Sequence, residues 1–305
     1  MTPDMIPFLA EELLDWRRLT DALIQGHARP KAQIGDTFLY RGDDTMLTRS
    51  AWIDGLGIAV KTANIMPGNP GRGEPMIHGA VNLYDDITGL LDAIVDFHLV
   101  TKWKTAGDSV LGARLLARPD SKVILIVGAG TVGRNLRDAY KALFPQARFL
   151  VWNRSPDGAR RFADECDKTD AIAELEDGVT QADIITSATM TTDPLINGNW
   201  LKPGQHLDLI GAYRADMREA DDTALTRARL FMDSRDTVLD HIGEFKDPLA
   251  RGVITRDDVV GDLYDQKAGV FTRQPGDITL YKNGGGAHLD LMTSRYILDA
   301  WRAAQ

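Results

Sequence analysis

The chain opens on a helical rhythm: Leu13, Leu14, Leu19, Leu23 and Ile24 recur four to five residues apart or as adjacent pairs, with charges between them, which predicts an amphipathic helix over residues 9–28. Between residues 36 and 96 the period shortens. Thr37-Phe38-Leu39-Tyr40, Gly57-Ile58-Ala59-Val60-Lys61-Thr62, Val81-Asn82-Leu83-Tyr84 and Leu90-Leu91-Asp92-Ala93-Ile94-Val95 read as strands. Turn clusters at Arg41-Gly42-Asp43-Asp44, Pro67-Gly68-Asn69-Pro70 and Asp85-Asp86-Ile87-Thr88-Gly89 separate them, the last set between two apolar runs as in a hairpin. This part is expected to be α+β with a largely antiparallel or mixed sheet. From residue 123 onward, short apolar runs at 123–127, 149–152, 184–187, 206–210 and 230–232 alternate with helical stretches such as 131–144 and 157–166. That alternation is what a doubly wound parallel sheet, covered on both faces, requires. A run at 277–281 and a helix at 288–304 close the chain, and no internal repeat is visible.

Composition narrows the partners. A length of 305 residues suits about two domains, and 44% apolar with 26% charged residues is a globular balance, too hydrophobic for intrinsic disorder. The net charge of −9 argues against nucleic acid or an anionic membrane as partner, since each needs a basic surface. Cys166 is the single cysteine, so an internal disulfide framework and a cysteine-rich metal site are both excluded. His27, His78, His98, His206, His241 and His288 show no metal spacing and read as structural or surface residues. The first ten residues include Asp4 and lack the basic and apolar regions of a signal peptide, and the uncharged run 123–133 is too short for a membrane span. A soluble cytoplasmic protein is expected.

The run Val123-Ile124-Leu125-Ile126-Val127 leads directly into Gly128-Ala129-Gly130-Thr131-Val132-Gly133, followed by a helical stretch. G-x-G-x-x-G between a buried strand and a helix is a dinucleotide-binding fingerprint, because each glycine has a task. Gly128 permits the tight turn, Gly130 lets the backbone approach a pyrophosphate, and Gly133 lets helix and strand pack closely. The next strand ends in Asn153-Arg154-Ser155, where an NAD site usually carries an acid for the ribose hydroxyls. A carboxylate would repel a 2′-phosphate, whereas a guanidinium and a hydroxyl bind it, so NADPH is expected, with NADH the second candidate.

Two lysines stand out in the first part. Lys61 alternates onto one strand face with Ala59 and Ala63, which suggests a pocket where an ammonium binds a carboxylate or transfers a proton. A solvated lysine on an open sheet face fits the same pattern. Lys104, in Lys102-Trp103-Lys104-Thr105-Ala106-Gly107, reads equally as a ligand cation and as part of a basic helix start.

These pieces together resemble the ornithine cyclodeaminase/mu-crystallin family over nearly the whole chain. The resemblance rests on Val60-Lys61-Thr62 with Pro67-Gly68-Asn69, on Thr88-Gly89, Asp92-Ala93 and Asp96, and on Thr101 with Lys104-Thr105-Ala106. It continues through the glycine turn, residues 182–189, residues 200–206 and Ile278-Thr279-Leu280-Tyr281-Lys282-Asn283 with Gly285. It implies a substrate-binding and dimerisation domain formed by residues 1–112 and 287–305, a Rossmann NAD(P)-binding domain at 113–286, and a homodimer. Cyclodeaminases of the family carry a catalytic aspartate and Pro-Gly-Lys in the stretch that here reads Ile210-Gly211-Ala212-Tyr213-Arg214-Ala215, so this chain is more similar to the ketimine reductases. The implied reaction is NAD(P)H-dependent reduction of a cyclic 2-carboxy imine to L-proline or L-pipecolate. Ornithine cyclodeamination, an alanine dehydrogenase-like reaction and non-enzymatic NADPH-dependent binding are the alternatives. Lys61 or a water is the expected proton donor, and Lys61, Lys104 and Lys31 are the implied carboxylate ligands. Thr105, Gly128, Ala129, Gly130, Thr131, Val132, Gly133, Asn153, Arg154, Ser155, Ala188, Thr189, Gly211 and Asn283 are the implied cofactor residues, with Asp290 near the nicotinamide. The chain departs from the family pattern in having Lys104-Thr105-Ala106-Gly107 for Arg-Thr-Ala-Ala, and Asn283 for a serine. Substrate identity is therefore the open question, because arginine grips a carboxylate with a fork and lysine does not.

Overall fold

The structure, a computed structural model, describes residues 2–305. The chain divides into two compact units, one formed by residues through Lys104 together with Gly286–Gln305, the other by Thr105–Gly285.

In the first unit, β1 (Asp4–Ile6), β2 (Gln33–Arg41), β3 (Asp44–Ile53), β4 (Gly57–Ile65), β5 (Ile77–Tyr84) and β6 (Leu91–Asp96) form a sheet of order β1-β6-β5-β4-β3-β2. Its pairs are antiparallel apart from parallel β1 and β6. β5 and β6 are joined by the expected hairpin, whose turn is held by the Asp85 carboxylate accepting from the Thr88 N–H at 2.8 Å and hydroxyl at 2.7 Å. The helix Ala287–Ala303 packs on β3, β4 and β5 and against the helix Trp16–His27. The single helix expected over residues 9–28 is two elements, a 3₁₀ turn at Phe8–Leu13 and the helix Trp16–His27. Asp15 separates them: its side chain caps the second helix by accepting from the Arg18 N–H at 2.9 Å. β3 was not anticipated, because Thr45, Thr48, Arg49 and Ser50 interrupt its apolar alternation.

The second unit holds β7 (Val123–Val127), β8 (Arg148–Trp152), β9 (Thr169–Ala171), β10 (Ile184–Ser187), β11 (His206–Leu209), β12 (Arg229–Met232), β13 (Val259–Asp262) and β14 (Thr279–Lys282). They form one parallel sheet of order β13-β12-β14-β11-β10-β7-β8-β9, the doubly wound arrangement expected from the alternating pattern. The chain moves outward from β7 through β8 to β9, then returns to β10 on the other side of β7, and such reversals are where open parallel sheets bind their ligands. The first boundary between the units falls inside the helix Phe97–Leu116, earlier than residue 112. The reason is packing: Tyr281 of β14 lies against Gly112 of that helix and donates its hydroxyl to Asp108 at 2.7 Å. Among the described residues no helix is long and apolar enough to cross a membrane.

Candidate active site

In the second unit the glycine turn follows β7 directly. Gly128 has φ +111°, and a Cβ on it would lie 2.8 Å from the Ala188 carbonyl oxygen. A Cβ on Gly133 would lie 2.0 Å from the Gly128 carbonyl oxygen, so these two glycines serve the turn's own packing. Gly130 differs. A Cβ there would meet nothing within 4 Å, and Gly130 is the N-cap of the helix Thr131–Leu143. Its bareness leaves open the approach to the first N–H groups of that helix, around Thr131 and Val132, where the helix dipole favours phosphate. A cavity of ≈ 390 Å³ lies at this place, lined by Ala129 and Gly130 of the turn, Asn153 and Arg154 beyond β8, and Ala188 and Thr189 beyond β10. These residues fit a dinucleotide.

The end of β8 divides its labour. The Asn153 side chain accepts from the Ala129 N–H at 3.2 Å and donates to the Ser155 carbonyl at 3.1 Å, so it fastens the strand end to the glycine turn. Arg154 is exposed on the cavity rim and, among the described residues, makes no ion pair. Ser155 is exposed at the N-cap of the helix Pro156–Glu165, and the nearest following acid, Asp157, is engaged by Arg160. Of the expected cofactor residues, Thr105, Thr131, Val132, Gly133, Ser155, Gly211 and Asn283 are not among those lining the cavity. The Asn283 amide is buried and donates to the Thr105 carbonyl at 2.9 Å and the Ser109 hydroxyl at 3.0 Å. Gly211 packs under Thr189, whose carbonyl oxygen would be 2.0 Å from a Cβ. The sequence reading missed Glu219, which is fully buried and accepts from the N–H groups of Thr189 at 2.8 Å and Gly211 at 2.6 Å and from the Ser187 hydroxyl at 2.6 Å. It ties the ends of β10 and β11 together beneath the cavity lining, and a lone glutamate in a loop carries no pattern that would reveal this.

The first unit contains the lysine cluster. Lys61 lies on the buried face of β4 with Ala59 and Ala63 and is only 6% exposed. Its ammonium donates to Asp290 Oδ1 at 2.9 Å and to the Thr101 hydroxyl at 2.8 Å, and sits 4.7 Å from the centre of the Phe97 ring. Burial pushes the Lys61 pKa down to about 8, Asp290 opposing the shift and Lys104 and Arg49 adding to it. Asp290 lies in the first turn of the helix Ala287–Ala303. Burial works against its charged form, yet Lys61, Lys104 and Arg49 hold its carboxyl below the usual range. Its second oxygen, Oδ2, is buried with no hydrogen-bond partner among the described residues.

Thr101 and Lys104 are neighbours on the first turns of the helix Phe97–Leu116. Lys104 is half-buried and makes no ion pair among the described residues, whereas Lys102 is taken up by Glu11 at 2.8 Å. Lys31 is exposed ahead of β2, and its charge acts on buried His288 together with those of Lys104 and Arg49. Arg49 also escaped the sequence reading, for the same reason that β3 did. No group of three or more His, Cys, Asp or Glu side chains among the described residues is placed to hold a metal ion.

Known proteins share this architecture and much of the sequence. The Δ1-pyrroline-2-carboxylate reductase of Paracoccus denitrificans (strain Pd 1222) is 53% identical over 291 residues, covering 93% of this chain and 92% of that protein. The ketimine reductase mu-crystallin of Mus musculus is 30% identical over 249 residues, covering 81% and 77% of the two chains. The solved structure of Thermococcus litoralis Δ1-pyrroline-2-carboxylate reductase, in complex with NADH and L-proline, matches the fold with a TM-score of 0.88 at 24% identity over 98% of each chain. Residues 45–305 match the ornithine cyclodeaminase/mu-crystallin family as a whole, and the chain belongs to that family.

Proposed function

We propose that this protein catalyses the NAD(P)H-dependent reduction of a cyclic 2-carboxy imine, Δ1-pyrroline-2-carboxylate or its six-membered homologue Δ1-piperideine-2-carboxylate, to L-proline or L-pipecolate. The observation that carries the reading is the buried Lys61 ammonium, paired at 2.9 Å with Asp290 amid further cations, in a chain that also holds a nucleotide-binding turn. The pyrroline-2-carboxylate reductase and ketimine reductase relatives support it.

Reduction of a C=N bond needs a hydride at carbon and a proton at nitrogen. The bound nicotinamide supplies the hydride. The chain's task is the rest. Lys104 and Lys61 attract the carboxylate and orient the ring. With its pKa near 8, Lys61 is still protonated at neutral pH yet releases its proton readily, as a general acid toward the imine nitrogen should. Asp290 keeps that ammonium in place through Oδ1, and its partnerless Oδ2 is an acceptor for the N–H that the reaction creates. Tyr213, in place of the cyclodeaminase aspartate, is exposed and offers no carboxylate for the lyase reaction. For the cofactor, Arg154, exposed on the cavity rim and making no ion pair among the described residues, supports NADPH over NADH.

A cytoplasmic homodimer completes the reading. Every residue of the edge strand β2 is exposed, and its Ile34, Phe38, Leu39 and Tyr40 are the kind of apolar edge that a second copy would cover.

The test is consumption of NADPH and NADH with pyrroline-2-carboxylate, with piperideine-2-carboxylate and with pyruvate plus ammonia, and ammonia release from ornithine measured separately. Reduction of a cyclic imine with a higher kcat/KM for NADPH is expected. Ammonia release from ornithine without net use of reductant would overturn the reading.

A further inference from the structure

Arg49 of β3 stands directly across the antiparallel pair from Lys61 of β4, and Asp36 of β2 stands directly across from Arg49. Side chains opposite each other in such pairs project from the same face. Asp36, Arg49 and Lys61 therefore form a polar row on one face of the sheet, the face on which Lys61 meets Asp290. Along β3 the alternation agrees, since Arg49 shares its side with buried Ala51 and Ile53. The Asp36 carboxylate takes the guanidinium in a fork, from Nε at 3.1 Å and Nη2 at 2.9 Å, which fixes its plane.

A surface ion pair placed only to stabilise the sheet would be worth little and would have no reason to lie beside a buried lysine. The charge of Arg49 reaches Lys61, Asp290 and His288, the same groups that Lys104 acts on. Of the cations acting on Asp290, Lys61 pairs with Asp290 and Arg49 with Asp36, while Lys104 makes no ion pair among the described residues and has its charge available for an anion. A substrate with a single carboxylate balances it.

We propose that Arg49, oriented by Asp36, binds the substrate carboxylate together with Lys104 and sets the preference for 2-carboxy imines over imines that lack the carboxylate. The inference rests on the imine-reductase reading above. Asp36 is a positioning residue in this scheme, since it acts through Arg49.

The experiment compares the wild type, Arg49→Met, Arg49→Lys and Asp36→Asn on Δ1-pyrroline-2-carboxylate and on 1-pyrroline, the same ring without its carboxylate. Arg49→Met is expected to raise KM for the carboxylated imine by about 10- to 100-fold, the value of a charge-assisted hydrogen bond, with KM for NADPH unchanged and KM for 1-pyrroline raised far less. Arg49→Lys should recover part of the loss, and Asp36→Asn should show a smaller rise confined to the carboxylated ring. Product inhibition by L-proline, weakened in the same order, gives the same readout without relying on 1-pyrroline as a substrate. Equal damage with both rings, or unchanged KM and L-proline inhibition in Arg49→Met, would overturn the assignment. A wild type that reduces neither imine would instead remove the imine-reductase reading on which it stands.

Discussion

In the proposed reading, the two units offer anions different physics. In the nucleotide-binding unit the device is backbone: a strand end, a glycine with φ +111°, and the first N–H groups of a helix left approachable because Gly130 has no side chain. In the other unit the device is side chains drawn from separate elements, Lys61 from β4, Arg49 from β3, Lys104 from a helix start and Asp290 from the first turn of the closing helix. A backbone N–H has no proton to lose near neutral pH, whereas a buried lysine with a pKa near 8 does. The first device should therefore respond to shape and the second to pH and charge. Substitutions in one unit should leave the other's ligand affinity largely alone.

The largest break in that contrast comes from Lys61→Met. Loss of a positioned general acid costs typically about 10²- to 10⁴-fold in kcat, and NADPH affinity, read by fluorescence titration, should stay within about twofold. Full turnover by this variant would remove the lysine from the mechanism. Because methionine strands the Asp290 carboxylate without its counter-charge, the thermal midpoint is expected to fall as well. Adding Asp290→Asn should recover stability while turnover stays low, which separates the chemical loss from the structural one.

A pair of glycine substitutions gives the next effect. Gly133→Ala forces a Cβ to 2.0 Å from the Gly128 carbonyl oxygen. It should destabilise the protein by about 1–3 kcal/mol through overpacking, lowering Tm by roughly 2 °C or less for each kcal/mol in a chain of this length. Gly130→Ala adds its methyl to open space, so Tm without cofactor should not move, while KM for NADPH rises about tenfold as the methyl occupies the approach to the helix N-terminus. If Gly130→Ala left cofactor affinity intact, the cavity beside it would lose its assignment as the dinucleotide site.

The same contrast explains what could be read from the amino-acid sequence. A device made of consecutive backbone leaves a consecutive trace: Gly128, Gly130 and Gly133 between a run of apolar residues and a helix were enough to locate the turn, and the alternation after residue 123 was enough for the parallel sheet. Lys61 was legible because its small neighbours Ala59 and Ala63 share its strand face. Its partner Asp290 lies 229 positions away, and only the fold brings the two together. Arg49 left no trace, since its strand mixes Thr48, Arg49 and Ser50 and reads as polar until β2 and β4 are set on either side of it. Glu219 was equally silent. Its role is to accept donors from loops at the ends of two other strands, and neither its own neighbours nor any spacing records that.

The smallest effect is a displacement of a pH profile, and it tests whether Asp290 acts through Lys61. The acid that protonates the imine must itself carry the proton, so kcat/KM of the wild type should fall as pH rises through about 8. Burial sets the direction of the Lys61 shift, and the Asp290 carboxylate partly reverses it by favouring the ammonium. In Asp290→Asn that attraction is gone while Lys104 and Arg49 still repel the ammonium, so the alkaline limb should move to lower pH by roughly one unit. Rates measured well below the limb should change less than rates at pH 8, which a general loss of folding would not produce. A limb that stays in place, or moves to higher pH, would mean that the carboxylate does not govern the lysine's proton and that the 2.9 Å pair only holds the closing helix to the sheet.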